Sequence, residues 1–168
     1  KGGPLPSNLT STSSLVEAVN GCDGVLLAVP SHITRSVLHQ LAPYISEHLP
    51  FVCATKGIEE TTAKLMTQVM EDELSPSMHR SLMVLSGPSF ASEFSIMKPT
   101  AVCLAGSDEQ LVRQFQGALM TPVFRVYADT DVIGVQLGGA LKNVMALAAG
   151  VIDGLALGLN ARAALIPE

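Results

Sequence analysis

At 168 residues the chain is long enough for one packed domain, or for one domain and part of another. Apolar residues make up 48% of it and charged residues 15%, a balance that suits a soluble α/β protein with a large buried core and excludes a disordered chain. The formal charge of −5, with no block of like charges, offers no basic stripe for nucleic acid, although a small anion can still bind wherever a few cations converge.

Taken in chain order, short β-branched runs alternate with helical patterns. Helices are expected near Ser13–Asn20, Ser31–Leu41, Thr61–Leu74, Ser89–Met97 and Asp108–Met120. Between them lie candidate strands Val25–Val29, Phe51–Ala54, Leu82–Ser86, Thr100–Ala105 and Val123–Ala128. Continuous apolar strands separated by helices imply an α/β fold with a mainly parallel sheet covered on both faces. From Asp131 to Leu157 the strand signal stops and one long helix with glycine interruptions is expected, then a second helical piece over Asn160–Ile166. A domain boundary is placed near Asp129–Asp131, dividing 1–130 from 131–168.

Cys22, Cys53 and Cys103 lack CxxC spacing, and Cys53 and Cys103 sit in strand-like runs where a buried thiol packs as a small hydrophobe. A reducing compartment fits, and the cytoplasm is expected. The histidines show no ligand spacing, so no metal site is expected. The longest unbroken apolar run, Val144–Ile152, is too short for a membrane span.

In an open parallel sheet, ligands bind beyond the carboxyl ends of the strands. Pro30-Ser31, Thr55-Lys56-Gly57 and Gly87-Pro88-Ser89 each follow a strand, which puts small, polar and cationic residues on one rim. Lys56 either pairs with a phosphate there or snorkels to solvent. Ser89 either caps the next helix or donates to a ligand. Lys142 stands in an otherwise apolar helix and leans back over Gly138 and Gly139. Those glycines either give a ligand room beneath the amine or let two elements pack closely with Lys142 at their rim.

Several segments occur together: Val29-Pro30-Ser31, Ala54-Thr55-Lys56-Gly57-Ile58-Glu59, Leu85-Ser86-Gly87-Pro88-Ser89-Phe90-Ala91 and Phe124-Arg125-Val126-Tyr127. Asp131-Val132-Ile133-Gly134-Val135, Gly138-Gly139-Ala140-Leu141-Lys142-Asn143 and Asn160-Ala161-Arg162-Ala163-Ala164-Leu165-Ile166 complete the series. The series resembles the bacterial-type NAD(P)-dependent glycerol-3-phosphate dehydrogenases, and the opening Leu5-Pro6-Ser7-Asn8-Leu9 is similar to them as well. The resemblance implies a Rossmann-like sheet whose N-terminal βαβ unit is missing, followed by the start of an all-helical substrate-binding domain.

It also implies interconversion of sn-glycerol 3-phosphate and dihydroxyacetone phosphate with NAD or NADP, feeding glycerophospholipid synthesis, in a homodimeric full-length enzyme. By the resemblance Lys142 accepts the substrate hydroxyl proton, Lys56 binds cofactor and substrate, and Gly87, Ser89 and Asn143 meet the substrate. Pro30 and Ala91 are expected on the cofactor side. A developing alkoxide needs a base and fixed positive charge nearby, and Lys142 can act as base only with its pKa lowered by apolar surroundings and by Lys56.

There are departures. No GxGxxG is present, the family's second-domain phosphate ligands are absent, and Ile166-Pro167-Glu168 breaks the family's helical continuation. The chain alone is therefore expected to be inactive. Two rival readings stand beside this one: a related 3-hydroxyacid or sugar-acid dehydrogenase, and a non-catalytic truncated nucleotide-binding module.

Overall fold

The computed structural model describes residues 6–165, so the resemblance at Leu5 and the helix break at Ile166-Pro167-Glu168 lie outside the described residues. Five strands form one sheet: β1 (Val25–Leu27), β2 (Phe51–Cys53), β3 (Leu82–Ser86), β4 (Thr100–Gly106) and β5 (Phe124–Asp129). They lie side by side in chain order, with β1, β2 and β3 mutually parallel and β4 parallel to β5.

β3 and β4 are antiparallel, with Ser86 opposite Cys103 and Met83 opposite Gly106. The reason is the connection. A parallel return needs a crossover helix, whereas Gly87–Pro99 holds only the four-residue α4 (Ala91–Phe94) and doubles back. The helix expected over Ser89–Met97 is correspondingly short, ending at Phe94, and Met97 beyond it has φ 62°.

Strand alternation splits the core into two layers. Phe51, Cys53 and Leu82 face α2 (Ser31–Leu41) and α3 (Met66–Glu73), where Leu38, Met66 and Met70 close the layer. Val52 and Met83 face the other way and join Val102, Leu104 and Val126 beneath Val112 of α5 (Glu109–Leu119). A short α1 (Leu15–Val19) precedes the sheet, N-capped by the Ser14 hydroxyl. α3 begins five residues later than Thr61, the expected start. Residues 58–65 fold instead into a tight loop, with Ile58 bridging Leu65, the Glu59 N–H donating to the Lys64 carbonyl at 2.9 Å and Ala63 at φ 57°.

That loop is held by charge. Arg35 on α2 donates through Nε and Nη2 to the Glu59 carboxylate at 2.9 and 2.8 Å, and through Nη1 to Glu73 on α3 at 2.8 Å. Asp72 accepts from Arg35 at 2.9 Å and from Lys64. Arg35 first, and Thr62 second, hold the Glu59 carboxyl down at about 2.

α6 (Val132–Gly154) is one continuous helix of 23 residues through all its glycines, roughly 35 Å long at 1.5 Å per residue. The Asp131 carboxylate caps it by accepting from the Gly134 N–H at 2.8 Å. It runs back along the sheet against β3 and β4, and α7 (Leu159–Leu165) follows. Gln136, buried, accepts from the Thr67 N–H at 3.0 Å and donates to the Thr67 hydroxyl at 2.9 Å, fixing α6 to α3. Unlike the uninterrupted run Val144–Ile152, the whole of α6 is long and apolar enough to cross a bilayer, and little of it is buried in this chain.

The Arg35 network sets an acid limit on stability. The Glu59 carboxyl titrates near 4.5 when free and about 2 when folded, and Asp72 and Glu73 are shifted the same way. A depressed carboxyl stabilises fully above its free value and loses that contribution as pH falls through the folded one. The midpoint of thermal unfolding should therefore drop between about pH 5 and pH 2, and Glu59→Gln should flatten that slope. A midpoint indifferent to pH across this window refutes the role given to the network.

Candidate active site

Because β1, β2 and β3 are parallel, their C-terminal ends share one edge, and the three turns that follow are laced together. The Thr55 hydroxyl, buried just after β2, donates to the Val29 carbonyl just after β1 at 2.7 Å. Gly57 has φ 136°, and a β-carbon there would stand 3.0 Å from the Ser31 hydroxyl oxygen. The next turn requires glycine for two reasons: Gly87 has φ 145°, and a β-carbon would come within 2.9 Å of the Val102 backbone on β4.

α6 closes the site from above. At Gly139 the helix comes so near the end of β3 that a β-carbon would overlap the Ser86 hydroxyl oxygen, with Lys56 Cγ 3.5 Å away on the same side. Gly138 has nothing within 4 Å of its missing β-carbon. The two glycines thus do different things: Gly139 permits close packing and Gly138 leaves open space. The sequence alternatives of room and packing are both present, one at each position.

A cavity of about 540 Å³ opens between these elements. Of the residues singled out from sequence, Lys56, Gly87, Ser89, Lys142 and Asn143 line it, and Pro30 and Ala91 do not. Pro30 stands at the head of α2, next to the Ser31 that touches Gly57, and Ala91 opens α4; both are exposed.

Ser89 does not cap α4. The N-cap is Phe90, without a side-chain hydrogen bond. The Ser89 hydroxyl accepts instead from Lys56 Nζ at 3.1 Å, bringing two rim turns together across the cavity. Lys56 is half-buried, and burial first, then the charge of Lys142, lowers its pKa. Lys142 Nζ lies 5.5 Å from the centre of the Phe90 ring. Among the described residues it makes no hydrogen bond and no ion pair.

Several lining residues were not assigned from sequence, and three of them bear on the chemistry of the site. Ser86 lies buried at the strand end beneath α6, and Phe90 covers Lys142. Cys103, expected to be a buried packing residue, is only half-buried and faces the cavity beside Ser86, its strand partner. Its thiol is pushed up by burial first and by the charge of Asp129 second. The register of an antiparallel β4 would have exposed Cys103 as a rim residue, but a parallel reading of the sheet hides it. No group of three metal-ligating side chains occurs among the described residues.

The arrangement sets two ammonium groups and a hydroxyl into a largely apolar cavity with a strand-end turn at its floor. Such a site attracts an anion and can pass a proton to and from a hydroxyl.

The chain is similar to known proteins along nearly its whole length. Residues 1–112 match the sequence profile of the NAD-dependent glycerol-3-phosphate dehydrogenase N-terminus, and residues 131–168 that of its C-terminus. The glycerol-3-phosphate dehydrogenase (NAD(P)+) of Koribacter versatilis is 48% identical over 162 residues, covering 96% of this chain and 48% of its own length. That of Geobacter sulfurreducens is 51% identical over 162 residues, with the same coverage. The crystal structure of glycerol-3-phosphate dehydrogenase from Coxiella burnetii superposes with a TM-score of 0.82 at 37% identity, over 96% of this chain and 49% of that one. The chain therefore spans about half the length of the curated relatives it matches. On the sheet, the rim turns and the two matched profiles, the chain belongs to the NAD-dependent glycerol-3-phosphate dehydrogenase family.

Proposed function

We propose that the protein containing this chain interconverts sn-glycerol 3-phosphate and dihydroxyacetone phosphate with NAD or NADP, supplying glycerophospholipid synthesis. The observation that carries the reading is the convergence of Lys56, Ser89 and Lys142 on one cavity beside Gly87. Its relatives of known name are dehydrogenases of this kind. We further propose the division at Asp129–Asp131, with 1–130 as the C-terminal part of the dinucleotide-binding domain and 131–168 as the beginning of the helical substrate-binding domain. The homodimer and the cytoplasm complete the proposal, the latter supported by the three free thiols among the described residues. α6 is read as a core helix of the second domain and not as a membrane span, because Gln136 and Gly139 bind it to α3 and β3.

The donor set fits a dinucleotide and a phosphorylated three-carbon substrate: fixed cations, open strand-end turns and an apolar wall formed partly by Phe90. The nicotinamide, when bound, supplies hydride transfer. Lys142 takes the proton of the substrate hydroxyl during oxidation and returns it to the carbonyl oxygen during reduction. Lys56 stabilises the negative charge that develops on that oxygen and, held to Ser89, orients the substrate. Asn143, next to Lys142 on the cavity wall, offers an amide to the substrate. Pro30 and Ala91, outside the cavity lining, are assigned to the cofactor.

In the full-length enzyme, Lys142→Met should lower kcat by roughly 10²- to 10⁴-fold with little change in cofactor affinity. Steady-state kinetics and a cofactor titration read this out, and a folded variant with near-normal kcat refutes the assignment. Lys56→Met should weaken cofactor and substrate binding as well as rate; normal Michaelis constants would remove Lys56 from the site. Gly139→Val should harm stability and activity together, since its side chain meets Ser86, whereas Gly138→Ala, in open space within a helix, should raise the unfolding temperature slightly. Thermal unfolding beside the kinetics separates the two, and an undisturbed Gly139→Val enzyme overturns the packing argument.

A further inference from the structure

We propose that Arg35 and Glu59 are positioning residues that clamp the rim turn carrying Lys56. The inference rests on the reading of Lys56 as a substrate- and cofactor-binding cation, and adds how the fold keeps that cation in place.

Lys56 lies between two fixed points. On one side the Thr55 hydroxyl ties the chain to the Val29 carbonyl at 2.7 Å. On the other, Glu59 is buried and held by both its backbone and its side chain. Its N–H donates to the Lys64 carbonyl at 2.9 Å, and its own carbonyl accepts from the Ala63 N–H at 2.8 Å. Its carboxylate takes the Arg35 guanidinium side-on, at 2.9 and 2.8 Å, and also accepts from the Thr62 hydroxyl.

A planar fork meeting a carboxylate in two parallel bonds fixes direction as well as distance. Arg35 cannot swing away, because Glu73 on α3 holds its remaining nitrogen, Nη1, at 2.8 Å and Asp72 shares Nη2 with Glu59 at 2.9 Å. The bonds to α3 are enough to join α2 to α3. Only the bond to Glu59 reaches the rim, and between Glu59 and Lys56 stand only Ile58 and Gly57. Among the described residues the Lys56 side chain has one hydrogen bond of its own, to Ser89 at 3.1 Å. Its placement therefore depends on the backbone that Glu59 fixes.

The test uses the full-length dehydrogenase, with Glu59→Gln and Glu73→Gln made singly and each combined with Lys56→Met. Reduction of dihydroxyacetone phosphate is measured alongside thermal unfolding. Glu59→Gln should lower kcat/KM by roughly 10- to 100-fold, the scale of a small misplacement of a reacting group. Glu73→Gln, which loosens α2 from α3 and spares the rim turn, should lower it by less than about threefold at a similar loss of unfolding temperature. In the Lys56→Met background the extra penalty of Glu59→Gln should vanish, because residues acting through one another are not additive.

Equal effects of the two single variants overturn the proposal, as does a Glu59→Gln penalty that persists without Lys56. Wild-type kinetics for Lys56→Met sink the reading of Lys56 and the clamp with it, which separates that failure from a failure of the clamp alone. If Glu59→Gln does not fold, Glu59→Asp keeps the charge and retracts it by one methylene. That variant should show a lowered kcat/KM that disappears in the Lys56→Met background, and normal kinetics for it overturn the proposal.

Discussion

The approach of α6 to the end of β3 is so close at Gly139 that a β-carbon would overlap the Ser86 hydroxyl, and the cavity exists where it does because of that contact. A parallel sheet alone gives an open edge with turns along it. A helix laid across that edge at backbone distance turns the edge into a walled site. Gln136 sets the depth of the helix through Thr67, and Gly139 sets its height over the strand. Lys142 then arrives over the rim turns because the geometry of a helix leaves it nowhere else to go.

Charge is distributed to match. The chain is acidic overall, yet the lysines at the cavity have no carboxylate partner among the described residues. Much of the acid near the rim is spent on Arg35, which engages Glu59, Asp72 and Glu73 together. A carboxylate bound to Lys56 or Lys142 would cancel the field an anionic substrate needs. Tying Glu59 to Arg35 keeps a negative charge three residues from Lys56 without letting it neutralise that lysine.

Much of the sheet was legible in the sequence because its strands are short and mostly apolar, and β2 and β3 are buried on both faces, as Phe51, Val52 and Val84 show. The rim was legible for the same reason: a residue following a buried strand stands at the sheet edge whatever lies around it. What could not be read depended on partners distant in sequence. Thr61–Leu65 carries helix-compatible residues, but Glu59 is engaged by Arg35, 24 positions earlier, and the loop forms around that pair. Ser89 has the side chain of a cap, and Lys56, 33 positions away, takes its hydroxyl. Cys103 reads as core until the reversal of β4 turns it to the cavity. Local pattern told the element types; pairings across the fold decided the side-chain roles.

Gln136, Gly139 and Lys142 stand three residues apart along α6, each turned about 60° from the last, and this spacing bears on how such a chain can change length during evolution. One residue added between Gln136 and Lys142 would rotate everything beyond it by about 100°. The lysine would leave the cavity, even where Gly138 slides into the place of Gly139 against Ser86. Insertions in this stretch are therefore barred in a way that no single substitution reveals. Past Ala146 no described residue of the helix lines the cavity, so a change of length there leaves Lys142 over the rim turns.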